Sequence, residues 1–185
     1  MDWMLPGTVL PAMREDADHI EKQFEAMFLA GGMVLSQVTG ITGLEPYTVQ
    51  NWVKRGFLPK PENKRYSMRQ LCRILNINML KSALPMEEIC GLLQYVNGDL
   101  SDESDDLIDD SKLYFMFVRL AANFRVMHNQ EGRDAYIQTI LSGYREPVPG
   151  ARDRVEKVLR IMITAWAASQ LRLQAEQMVL KIKET

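Results

Sequence analysis

Tyr47, Gln50, Asn51 and Lys54 recur at i, i+3, i+4 and i+7 in this chain of 185 residues. That spacing gathers four polar side chains on one face of a helix. Gln and Asn amides pair bidentately with adenine edges in a major groove, and Lys and Arg neutralise phosphate. Thr48, Arg55, Lys60, Lys64 and Arg65 follow in the same stretch and suit phosphate contacts, with Tyr66 bracing them. The candidate DNA-binding set is therefore Tyr47, Thr48, Gln50, Asn51, Lys54, Arg55, Lys60, Lys64, Arg65 and Tyr66. Val49, Trp52 and Val53 form an apolar stripe on the other side of the same helix. An ordinary amphipathic helix with a solvated face shows the same pattern, so the neighbouring elements must decide.

Those neighbours form an ordered series. Residues 35–41 have room for one short helix before a turn at Thr42-Gly43. Pro46 suits a first helical turn, where its missing N–H costs nothing. Gly56 suits a left-handed helix end. Pro59 and Pro61 stop continuation and favour an extended segment. A third helix starts near Ser67, with Leu71, Ile74 and Leu75 inward. Pro85 opens a fourth, with Ile89, Leu92, Leu93 and Val96 on one face.

The order of helix, turn, helix, short basic wing, helix and Pro-opened helix resembles the N-terminal DNA-binding domain of the MerR family of bacterial transcription regulators. Thr42-Gly43 resembles that family's turn. Thr48-Val49, Trp52 and Lys54-Arg55-Gly56-Phe57-Leu58 resemble its recognition-helix positions. Tyr66-Ser67 resembles the tyrosine and cap after the wing, and residues 84–93 its closing helix. The usual mid-helix arginine is Gln50 here, the Gly-Tyr-Arg wing tip is the shorter Asn63-Lys64-Arg65, and an acidic stretch replaces the dimerisation helix that normally follows. With Asn97-Gly98-Asp99-Leu100 and residues 105–109, the whole chain also resembles a MerR-like bacterial family catalogued only as a domain of unknown function.

Charge is segregated. Residues 31–83 carry eight Lys and Arg against two Glu, a net +6, while residues 84–112 carry one Lys against nine carboxylates, a net −8. A DNA-facing module joined to a part that faces away from DNA has this asymmetry. The chain as a whole, at −2, does not. Seven carboxylates crowd residues 97–110, but they lack the central glycine and terminal glutamate of a calcium loop. The expectation is a solvated linker whose Asp109, Asp110 or Ser111 caps the next helix. Cys72 and Cys90 make neither a zinc spacing nor a disulfide framework and suit buried or half-buried thiols. His19 and His128 have no ligand cluster nearby in sequence. No metal or cofactor is expected. With no phosphate loop, nucleophile elbow or metal spacing, neither is an enzyme. The N-terminal residues lack a signal-peptide pattern, and no apolar run is long enough to span a membrane. A cytoplasmic protein is expected.

The expected fold class is all-α, mainly helical: a MerR-like winged helix-turn-helix domain followed by an α-helical dimerisation or effector domain. Four parts are expected: an N-terminal amphipathic helix in 1–32, the DNA-binding domain in 33–98, an acidic linker in 99–110 and a helical domain in 111–185. Helices are predicted over 16–30, with Ile20, Phe24, Met27 and Phe28 inward, over 112–127, 134–141 and 151–183. The last would be roughly 50 Å long. No strict heptad persists through it, but its length predicts a homodimer. The 12 methionines fit plain core filling better than an adaptable ligand pocket. The function expected is a DNA-binding transcriptional regulator acting on double-stranded DNA as a homodimer, with room for a small-molecule or protein effector. The alternative is a protein-interaction or adaptor module with a helix-turn-helix fold and no sequence-specific DNA binding.

Overall fold

The computed structural model describes residues 2–100, 102–124 and 129–183. The protein is mainly helical. Two short strands open it, β1 (Asp2–Met4) and β2 (Pro11–Met13), followed by α1 (Ile20–Met27). Next come β3 (Met33–Val34), α2 (Leu35–Thr42), α3 (Pro46–Lys54), β4 (Arg65–Tyr66), α4 (Met68–Leu80) and α5 (Met86–Asn97). The last helices are α6 (Asp110–Ala122), α7 (Gln130–Ile140) and α8 (Ala151–Lys183). β1 pairs antiparallel with β2, and β3 with β4.

α4 is the hub. All nine of its residues from Leu71 to Leu80 other than Asn78 are fully or almost fully buried, because it meets α2 and β4 on one side and α5, α6 and α8 on others. α6 is buried nearly all round, as its composition predicts; Val126 and Met127, expected to continue it, and His128 lie outside the described residues. One cluster of buried residues runs from Trp3 through α4 and α6 to Trp166 of α8. Residues 1–110 and 111–185 therefore share a core.

Several expectations change. A hairpin precedes the N-terminal helix: Trp3 and Leu5 are buried, and Tyr114 of α6 donates its hydroxyl to Pro6 O at 2.9 Å. Gly7 there has φ +74°, and a Cβ on it would sit 2.4 Å from Leu75 O, so only glycine fits. Arg14 stacks on Trp3 and donates to Ala121 O and Ala122 O, supplying a cation at the carbonyl end of α6. α1 is confined to Ile20–Met27; Ile20 and Phe24 are buried, but Met27 is exposed rather than inward. α7 starts earlier than residue 134, because Asn129 accepts from Gly132 N and caps it.

The acidic stretch is solvated only in part: Asp99, Asp102, Glu103 and Asp105 are exposed, whereas the segment from Asp106 to Asp110 turns back onto the core. Asn97 Nδ2 donates to Ile108 O at 2.6 Å, and Leu107 N donates to Val96 O at 2.8 Å, so the chain folds back on the end of α5. Asp109 caps α6 as expected, accepting from Ser111 N at 2.8 Å. Asp110, 1% exposed, turns inward and pairs with Arg73 of α4, 2% exposed, at 3.3 Å. Arg73 also donates to Phe57 O at 3.0 Å. Replacing Arg73 with Ala leaves Asp110 buried without its cation. We expect a loss of ~3–5 kcal/mol in urea unfolding; a loss below ~1 kcal/mol would show that the pair does not hold the fold.

Candidate nucleic-acid interface

α3 is fixed by signals in its own sequence. α2 ends at Gly43, whose φ is +68° and whose N–H donates to Thr39 O at 2.9 Å. Leu44 is buried in the three-residue turn, and Pro46 occupies the first turn of α3. Its C-terminus closes with Phe57 N donating to Trp52 O and Gly56 N donating to Val53 O, around Gly56 at φ +76°. Val49 and Trp52 are buried, 0% and 5% exposed, and hold the helix to the core.

The opposite face is open. Tyr47, Gln50, Asn51 and Lys54 are exposed, and none of their side chains has a hydrogen-bond or ion-pair partner among the described residues. Thr48 is half-buried. Arg55 is exposed but stacks on Phe57 and pairs with Glu87 at 3.2 Å.

The expected wing is a tight hairpin joining the extended segment to β4. Arg65 N donates to Glu62 O at 2.8 Å around Asn63 and Lys64, whose φ values are +48° and +62°. Positive φ at both central positions defines a type I′ turn, the form that matches strand twist. Lys60 and Lys64 are exposed and unpaired among the described residues, whereas Arg65 donates to Gly32 O at 2.7 Å. Tyr66 is 4% exposed and belongs to the core, where burial raises its hydroxyl pKa; it braces the hairpin from beneath.

Four residues outside the expected set hold this surface and its border in place. Ser67 and Gln70 form a capping box, and the Gln70 amide then donates to Pro59 O and Lys60 O. Arg73, one turn on, holds Phe57 O. The Ser67-x-x-Gln70 spacing is a readable signal. Arg73 is signalled only as a cation within an inward-facing run. The fourth, Arg69, draws in Asp106 at 2.6 Å and Glu103 at 3.1 Å, with Asp109 at 3.6 Å and Asp110 at 3.8 Å. The acidic stretch thus borders the wing across a cleft of about 500 Å³ lined by Lys60, Asn63, Arg65, Arg69 and Glu103 among others. Burial opposes the charge on Arg69, but these carboxylates outweigh it and raise its pKa. Burial pushes Asp106 up to about 6 against the pull of Arg69, and it likewise raises Asp110 against Arg73. Cys72 is buried and Cys90 half-buried, and burial raises both thiols. No group of three or more His, Cys, Asp or Glu among the described residues could hold a metal ion, and no described helix is long and apolar enough to cross a membrane.

Residues 19–117, just over half of the chain, match the family model described as Domain of unknown function (DUF1836), and the chain belongs to that family. It is also similar to the uncharacterized protein YkrK of Bacillus subtilis (strain 168), 34% identical over 84 residues. That alignment covers 43% of this chain and 36% of the relative, so the chain spans about a third of the relative's length. No solved structure matches the chain.

Two outcomes follow from this geometry. Lys64 holds a left-handed conformation that disfavours side chains. Lys64→Gly should therefore raise stability in thermal or urea unfolding by on the order of 0.5–1 kcal/mol; destabilisation would mean that the lysine makes a needed contact. Asp106 titrates near 3.8 unfolded and about 6 folded. A raised folded pKa contributes stability that is full below the unfolded value and is lost as pH rises through the folded one. Tm should therefore increase as pH falls from 7.5 to 5, by less in Asp106→Asn; a Tm that falls over this window contradicts the assignment.

Proposed function

We propose that the protein is a DNA-binding transcriptional regulator of the cytoplasm that reads double-stranded DNA as a homodimer through a MerR-like winged helix-turn-helix. The observation that carries the reading is the open face of α3. Four exposed side chains of base-reading and phosphate-binding type have no partner among the described residues, while Val49 and Trp52 anchor the helix behind them. The order of α2, turn, α3, two-residue hairpin, α4 and Pro85-opened α5 supports it. So does the +6 charge of residues 31–83.

In this reading α3 enters the major groove. Tyr47, Gln50 and Asn51 approach base edges; Thr48, Lys54 and Arg55 meet phosphates. Lys60, Lys64 and Arg65 meet the backbone beside them, and Tyr66 supports the hairpin without touching DNA. Gln70 and Arg73 set the distance between α3 and the hairpin by holding the backbone that joins them. Two copies would meet half-sites a helical turn or a multiple apart. The parts fall as 33–98 for DNA and 111–185 for pairing and any effector, with 99–110 as the acidic border between them.

The test uses fluorescence anisotropy with labelled duplexes. Lys54→Ala should weaken binding to all sequences alike and reduce the salt slope by about one. Asn51→Ala should relax preference at one base position, costing ~1–3 kcal/mol there. If both variants bind as the parent does, this face is not the reader.

A further inference from the structure

The last four carbonyls of a helix have no partner within it. In α2, Gly43 N meets Thr39 O, but Ile41 O and Thr42 O are met from outside the helix. Val9 N, in the loop between β1 and β2, donates to Ile41 O at 2.9 Å. Asn78 of α4 donates its amide nitrogen to Thr42 O at 2.9 Å and to Gly7 O of the same loop at 2.8 Å. Both partners are carbonyls, so only the amide nitrogen suits them. Between Leu71 and Leu80, Asn78 alone is half-buried rather than buried, at the place where α4 reaches this loop and turn.

The loop is braced from within and from behind. Thr8 donates its hydroxyl to Leu5 O and accepts from Leu10 N, each at 3.0 Å. Gly7 lies against Leu75 O of the hub. The Val9 side chain covers the turn: a Cβ on Gly43 would sit 2.7 Å from Val9 Cγ1. Only Gly43, Leu44 and Glu45 separate Thr42 from α3. What holds the end of α2 therefore also holds the approach to the first turn of α3, the end that carries Tyr47 and Gln50. Val49 and Trp52 hold the back of α3, and Arg73 holds the chain beyond its end.

We propose that Asn78 and the loop of residues 5–10 are positioning elements for α3. They complete the open carbonyl end of α2, fix the turn that follows, and so set the direction in which the polar face of α3 is presented. The Asn78 amide is the joint, because it bonds the loop and the turn at once. That the face reads DNA is the reading above, on which only the affinity measurement below rests.

Amide hydrogen exchange of the full chain tests the joint without DNA. In Asn78→Ala, the amides of Val9, Gly43 and Thr48 should exchange on the order of five- to tenfold faster, as loss of a hydrogen bond at a local opening implies. Leu71 N of α4 and Leu113 N of α6 should keep their rates. Thr8→Ala, which removes only the hydroxyl bonds within the loop, should shift Val9, Gly43 and Thr48 in the same direction, and it decides the question if Asn78→Ala does not fold. On labelled duplexes both variants should bind all sequences about three- to tenfold more weakly, because a smaller fraction of molecules holds the competent arrangement. The salt slope should stay parental, because no phosphate contact is removed. Unchanged rates at Gly43 and Thr48 would overturn the proposal. So would rates at Leu71 and Leu113 that rise equally, which would reduce Asn78 to general support of the fold, and so would parental affinity despite faster exchange. If the parent binds no DNA, the reading of α3 falls, and the exchange rates still decide whether the loop sets the helix.

Discussion

The buried pair of Arg73 and Asp110 is the constraint on which the rest of the structure depends. Removing two charges from water is costly, and the pair persists because its other polar needs are met. Arg73 also donates to Phe57 O, and Asp110 sits in the first turn of α6, where the helix dipole favours a carboxylate. These contacts tie three segments together: the chain leaving α3, the hub α4 and the start of α6. Arg69, one turn earlier on α4, spreads the same attraction over Asp106 and Glu103. The acidic stretch thereby becomes part of the wall around the hub.

That wall divides the surface by charge. On one side, Lys54, Lys60 and Lys64 project without partners among the described residues. On the other, carboxylates have already claimed Arg69 and Arg73. A near-neutral chain can thus present a localised basic face on α3 and the hairpin. Buried Val49 and Trp52 hold α3 to the core, Gly56 closes its C-terminus, and Gln70 and Arg73 hold the segment that follows it.

The parts legible in the sequence are those set by local chemistry. Pro46, Gly43 and Gly56 mark the ends of α2 and α3, because the proline ring presets a helical φ and the glycines, lacking Cβ, accept the positive φ that ends a helix. The inward faces of α4, α5 and α6 follow from their apolar spacing. The N-terminal hairpin was hidden because its strands have three residues each and are held by distant groups, Tyr114 and Arg14 among them. The inward turn of the acidic stretch is hidden for the same reason: Asp106 and Asp110 are drawn in by Arg69 and Arg73, more than thirty residues earlier, while Asp99, Asp102 and Asp105 stay exposed as their charge predicts. Within the candidate site, exposure on α3 was readable from periodicity. The burial of Tyr66 and the positioning role of Arg73 depend on tertiary packing that one sequence does not display.

The central claim is that the open face of α3 binds DNA in a sequence-dependent way. The most direct measurement is binding of the full chain to a pool of random duplexes across a salt series, with sequencing of the retained fraction. The account predicts affinity that falls log-linearly with salt and an enriched, roughly palindromic motif. Failure to bind at low salt would contradict it and would turn the same basic face toward an acidic protein partner.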